Sequence, residues 1–419
     1  MPRLTRRSWL RSSFLALGAA GLLTTQGRLR AAPKTPPRRL VLVFNSGGWD
    51  CSYALDPKPG VAGVDAPAGK VATIGGLDML TDPSRPAIAE FFNMSAGTCS
   101  IVRGLQISSV AHPDASRRIL TGVASDSAPD VAAIASAVHG AGLAAPYLIL
   151  GRTAYSGPYG SLGARTGSVN QIVTLLNPNL SLPPIGGPLL PHVPTDLEET
   201  LIREHVLARA ERELTASGGN HRVDDFISSL HRGDLLREIG VVGEIELARS
   251  FSAQIDLAVE ALARGLCHSV QIETGEWDTH TDNARQGPLH DDFFAGLAQL
   301  VAALASRPGS AQGSKLLDET AVVVVSELGR TPRLNGDKGK DHWPVTSALL
   351  VGSGVAGGRV VGATTDALAG VDIDFKTGAP DPNGKPLLYS SFAAGVLALV
   401  GVEPGDHITD AEPLHAISA

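Results

Sequence analysis

Cysteine is scarce in this chain: Cys51, Cys99 and Cys267 are the three among 419 residues, and no two have CxxC spacing. That excludes a disulfide framework and a cysteine-rich zinc module. Three cysteines permit at most one disulfide, so the fold must rest on its core. Basic charge is in deficit, 35 Lys and Arg against 42 Asp and Glu for a net of -7, so no basic field invites nucleic acid. Aromatics are only 5%. No short period appears and the 47 Gly and 28 Pro are scattered, which excludes collagen and a coiled coil. What is present is apolar bulk. Hydrophobic residues make up 43% and charged residues 18%, enough to fill a core and incompatible with disorder. The length suits one large domain or two to three of about 150 residues.

The first 32 residues carry six arginines and no acid. Arg6-Arg7 precedes a short apolar stretch, Phe14 to Leu23, the pattern of a twin-arginine export signal. The stretch is too short for a comfortable membrane span. Residues 1–32 are therefore read as a signal peptide and 33–419 as a mature chain for the periplasm or the extracellular space. Removing six of the 35 basic residues leaves 29 against 42 acids, a net of -13. No later segment approaches 18 unbroken apolar residues, so the mature chain is expected to have no transmembrane segment.

Four apolar runs organise that chain: Arg39–Phe44, Ser100–Leu105, Ser269–Glu273 and Ala321–Val325. Helix-like segments, Ile255–Arg264 and Asp292–Ala305, precede the last two. Helix then buried strand, repeated, predicts an α/β fold with a mostly parallel sheet covered on both faces. Residues 150–245 lack a strong buried-strand signal. They contain an irregular Pro-rich stretch, Pro178–Pro194, and a charged amphipathic helix, Asp196–Thr215. They read as a cap inserted over the sheet.

Open parallel sheets bind ligands beyond the carboxyl ends of their strands. The residues just past the runs include Asp50, Glu273 to His280, Ser326 to Thr331, and Asp341-His342-Trp343. Carboxylate and imidazole from several strand ends suit a divalent metal. Zn or Mn, which accept both donors, are favoured over Mg or Ca, which prefer oxygen. Asp278 and His280 are two apart, so in an extended segment both point the same way. Arg330 has two readings, a fork for an anion or an internal ion pair with Glu327. Lys338 and Lys340 either flank an anion or are solvated. His112 sits near the start of a short helix ending at Thr121-Gly122, and is open as metal ligand, base or nucleophile.

Gly275–His280, Ser326–Pro332, Asp341–Trp343 and Gly354–Gly362 resemble the signature blocks of a bacterial family known as domain of unknown function fifteen-oh-one. Its members are typically exported by the twin-arginine route. That family is similar to the alkaline phosphatase and sulfatase superfamily, which implies a three-layer α/β/α fold and a divalent-metal site. The resemblance implies metal ligands at Asp50, Asp278, His280, Glu327 and His342, with His112 where a nucleophile is usual. Three departures stand out. Ala111 replaces a frequent serine, Leu328 stands where a metal histidine is expected, and Glu276 replaces a usual glycine.

The expectation is a metal-dependent hydrolase of a phosphate or sulfate ester. His112 and Arg330 are its catalytic residues, and its partner is a small anionic ester or an envelope component. The alternative is a non-catalytic binding or assembly protein of the envelope on the same fold.

Overall fold

The computed structural model describes residues 37–165, 196–239 and 250–419. The expected signal segment 1–32 and the stretch Pro178–Pro194 lie outside them. The strands are β1 (Arg39–Asn45), β2 (Lys70–Ile74), β3 (Leu77–Thr81), β4 (Cys99–Gln106), β5 (Tyr147–Ile149), β6 (Gly163–Arg165), β7 (Ser269–Thr274), β8 (Thr320–Val325), β9 (Gly329–Arg330), β10 (His342–Trp343), β11 (Val345–Gly352) and β12 (Arg359–Val361). The helices are α1 (Pro86–Ser95), α2 (His112–Thr121), α3 (Val131–His139), α4 (Asp196–Ala216), α5 (His221–Ile239), α6 (Phe251–Ala263), α7 (Gln286–Ser306) and α8 (Tyr389–Leu399).

Eight strands form the main sheet in the order β12-β4-β11-β8-β1-β7-β5-β6. β1 lies between β7 and β8, parallel to both, with Leu40 opposite Ser269 and Ala321. β5 is parallel to β7 and β6, and β12 is parallel to β4. β11 is antiparallel to both its neighbours, β4 and β8, so it alone is reversed in the main sheet. β2 and β3 form a separate hairpin, as do β9 and β10.

Strand residues alternate between two faces, and each face has its own core. Val41, Val43, Val270, Ile272, Val322 and Val324 pack with Ile88, Phe91, Ile255 and Phe294 from α1, α6 and α7. Leu40, Leu42, Phe44, Ala321, Val323 and Val325 pack with Ile119, Ile134 and Phe392 from α2, α3 and α8. This is the α/β/α layering that the sequence predicts. Each buried Val, Leu or Phe contributes about 1.5–3 kcal/mol. The three cysteines are free and buried, so within the described residues this core acts without a disulfide.

All four expected strands form. The sequence reading did not single out β5, β11, β12 or the two hairpins. Of the stretch assigned to a cap, the described part contains β6, α4 and α5. α5 is tied to the turn after β5 by the Arg232 guanidinium, which donates to the Ser161 carbonyl. Leu197, Leu201, Ile202 and Phe226 of these helices are exposed. No helix among the described residues is long and apolar enough to cross a membrane.

Candidate metal centre

Parallel strands send their carboxyl ends to one edge of the sheet. β1, β4, β7 and β8 share a direction, so the loops that follow them meet there. The reversed β11 brings its amino end to the same edge, and β10 immediately precedes it. His112 after β4, Asp278 and His280 after β7, Glu327 after β8, and His342 in β10 are thereby gathered from distant parts of the chain.

The loop after β7 is extended and anchored by alternation. Trp277 and Thr279 are buried, while Asp278 and His280 face outward. Trp277 packs edge-on against Trp49, and its indole N–H donates to Thr274 Oγ1 at 3.0 Å. The loop after β1 passes backbone to backbone beside it. Gly47 has φ +121°, and a Cβ there would lie 2.7 Å from the Asp278 nitrogen. No side chain fits, and only glycine adopts that backbone readily.

Three lone pairs converge at the edge. His342 Nδ1 donates to the Val110 carbonyl at 2.7 Å, which leaves its Nε2 as an acceptor. His280 Nδ1 lies 2.9 Å from Asp341 Oδ1, and donating there leaves its Nε2 as an acceptor too. These two Nε2 atoms face each other at 2.9 Å. Asp278 Oδ1 is 3.3 Å from each. Three acceptors at such range repel one another unless a metal ion or a proton joins them. Imidazoles fixed through their far nitrogen by a carbonyl or a carboxylate are the usual form of metal-binding histidine.

His112 completes the group. Its Nδ1 is 2.7 Å from Glu327 Oε1. Its Nε2 is buried without a hydrogen-bond partner, 3.5 Å from Asp278 Oδ2. Its ring meets that of His342 edge-on at 4.3 Å. One ligand atom each from His112, Asp278 and His342 lie within 4.8 Å of one another. Imidazole and carboxylate together are donors that a divalent metal accepts.

The surrounding charges tune these groups. The hydrogen bond to Glu327 raises the His112 pKa against the opposing effect of burial. Burial lowers that of His342, only partly offset by the Val110 carbonyl. Burial alone would raise that of Asp278, but the hydrogen bond and charge of Arg330 outweigh it, and the carboxylate stays ionised.

Three residues expected at the site have other tasks. Asp50 is buried, and both its oxygens are taken. Oδ1 accepts from Ser52, while Oδ2 accepts from Asn283 Nδ2 at 2.9 Å and Lys340 Nζ at 2.8 Å. Lys340 is thus fully buried beside a carboxylate, neither solvated nor open to an anion from outside. Glu327 Oε1 accepts from the Gly47 amide at 2.8 Å as well as facing His112. It holds a histidine rather than facing Asp278 and His342. Arg330 is buried, with donors directed at the carbonyls of Gly47, Gly48, Trp277 and Lys340 and at Asp278 Oδ1, 2.7 Å away. Its fork is used inside the protein, to hold Asp278, and its ion-pair partner is Asp278 rather than Glu327.

Residues 236–381 match the family described as "Protein of unknown function (DUF1501)", the one resembled by the motif blocks. No curated protein matches. Among solved structures, the chain is similar to a protein in the alkaline phosphatase superfamily from Vibrio parahaemolyticus, at 9% identity and TM-score 0.39, covering 94% of this chain and 75% of that one. It is similar to the lipooligosaccharide phosphoethanolamine transferase EptA from Neisseria meningitidis, at 10% identity and TM-score 0.38, covering 96% and 63%. It is also similar to BT1596, a 2-O GAG sulfatase, at 10% identity and TM-score 0.35, covering 87% and 71%.

Proposed function

We propose that this protein is an exported, metal-dependent hydrolase of a phosphate or sulfate ester. The observation that carries the reading is the convergence of His280 Nε2, His342 Nε2 and Asp278 Oδ1 within 3.3 Å of one another. A divalent cation held by these residues and His112 would supply Lewis-acid polarisation of an ester oxygen. The chain's own residues provide orientation. Val110, Asp341 and Glu327 fix the three imidazoles through Nδ1. Arg330 fixes the carboxylate. Ser108, Ser109 and Ser116 belong to none of these contacts, so water is the attacking group in this reading. Export rests on the arginine pair and apolar stretch of residues 1–32.

One observation favours a binding role instead. Arg330, the guanidinium nearest the cluster, has its donors committed to protein acceptors, which leaves an ester anion without a fork. The test is metal analysis of the purified mature chain beside His280→Ala and His342→Ala, followed by turnover of p-nitrophenyl phosphate and p-nitrophenyl sulfate. The hydrolase reading expects near-stoichiometric Zn or Mn in the wild type, its loss in both variants, and metal-dependent turnover. Metal without turnover of either ester moves the function to binding. No metal even after reconstitution overturns the metal centre.

A further inference from the structure

A second cavity shares no residue with the metal centre. It holds about 470 Å³ and is bounded by the turn after β1, the start of α1 and the first turns of α7, with Tyr53, Ser84, Arg85, Pro288, Asp291 and Asp292 in its wall. Its volume lies in the range of small-ligand sites.

Arg85 is the unusual member. It is only 6% exposed. One of its donors, Nη2, reaches the Ala68 carbonyl at 2.6 Å, and the guanidinium lies 5.3 Å from the centre of the Tyr53 ring. Its Nε is buried without a partner. Arg330 has Asp278 as its ion-pair partner, whereas no salt bridge to Arg85 is found among the described residues. A buried guanidinium N–H without an acceptor is costly, and an anion entering the cavity would supply one.

Two carboxylates share the cavity wall. Asp291 Oδ1 accepts the Ala87 amide at 2.9 Å, its Oδ2 has no hydrogen bond among the described residues, and Asp292 is exposed. No salt bridge joins either of them to Arg85 among the described residues, so the cavity is lined by charges of both signs that do not pair with each other. Pro288 and Tyr53 add apolar lining.

We propose that this cavity binds a small zwitterion of the amino-acid type, its carboxylate on Arg85 and its ammonium toward Asp291 and Asp292. The test is titration of the purified mature chain with L-alanine, β-alanine, acetate and ethylamine, followed by calorimetry or ligand-observed NMR. At least one of the amino acids is expected to bind at low millimolar concentration or better, with acetate and ethylamine at least about 10-fold weaker. Arg85→Met abolishes binding, and Asp292→Asn, on the surface, weakens it about 10-fold without affecting folding. Arg85→Lys keeps the charge but loses the fork, so it binds more weakly than wild type while its circular dichroism is unchanged. Equal binding of acetate, indifference to Asp292→Asn, retention in Arg85→Met, or no binding of either amino acid would each overturn the proposal. Metal content, unchanged in all three variants, separates failure here from failure of the metal centre.

Discussion

Glu276 has φ +71° in the loop that delivers Asp278, a backbone state that costs a residue with a Cβ roughly 1–2 kcal/mol. Its side chain is exposed and only 3.7 Å from Arg285, a pairing of little worth in water. Glu276→Gly is therefore expected to raise stability by about 0.5–1 kcal/mol, read as a higher urea midpoint with unchanged metal content. Glu327→Gln keeps an oxygen for the Gly47 amide but gives His112 a weaker acceptor. Metal affinity is expected to fall about 10–100-fold, measured by competition with a chelator, while the thermal midpoint changes little. That Asp278 and His280 share a face was legible from their spacing alone. The partnership of His112 with Glu327 was not, because it joins residues 215 apart in sequence, and no local pattern reports such a meeting. Asp50 misleads for a related reason. Its place after β1 suits a ligand, but Lys340, from a distant loop, already neutralises it.

Among the elements, β11 decides whether His342 reaches the site. The apolar run Ala348–Val351 is visible in the sequence, but its direction is not. Only pairing with β4 and β8 reverses it. Buried runs therefore gave the strands β1, β4, β7 and β8, and strand-end logic pointed to the edge where Asp278, His280 and His342 meet, while the strand that turns the last histidine toward that edge could not be read. The loop between β9 and β10 is held to the loop after β7 by close backbone contact at Gly339, where a Cβ would lie 1.8 Å from the His280 carbonyl oxygen. Gly339→Ala must part the two loops. It is expected to lower metal affinity more than about 10-fold while the circular dichroism of the sheet is retained. Preserved affinity would mean that the loops position the histidines independently.

For the whole molecule, acid is the expected weakness. Burial lowers the pKa of His268 to about 4, helped by His139, and burial likewise lowers that of His290 to about 4. A depressed histidine contributes stability that is present above its unfolded pKa of about 6.5 and is lost as pH falls toward 4. Asp130 acts in the opposite sense. Burial raises its pKa to about 6, so its contribution is present at low pH and fades as pH rises through 6. Two histidines outweigh one aspartate, and stability is expected to drop by on the order of 2 kcal/mol between pH 7 and pH 5. Urea titrations at the two pH values measure it, and His290→Phe should flatten the difference. The cysteines offer no comparable handle. All three are buried, and burial pushes the Cys51 and Cys267 thiols up to about 12.

The placing of β1 at the centre of the sheet sets a timetable for the chain. Its two neighbours begin at Ser269 and Thr320, more than 200 residues later. At a synthesis rate of about 5–20 residues per second, this buried apolar strand waits on the order of 10–50 s before either edge is covered. Until then the nascent polypeptide carries an unpaired, sticky ribbon, which makes the newborn chain a natural client for a chaperone during that interval.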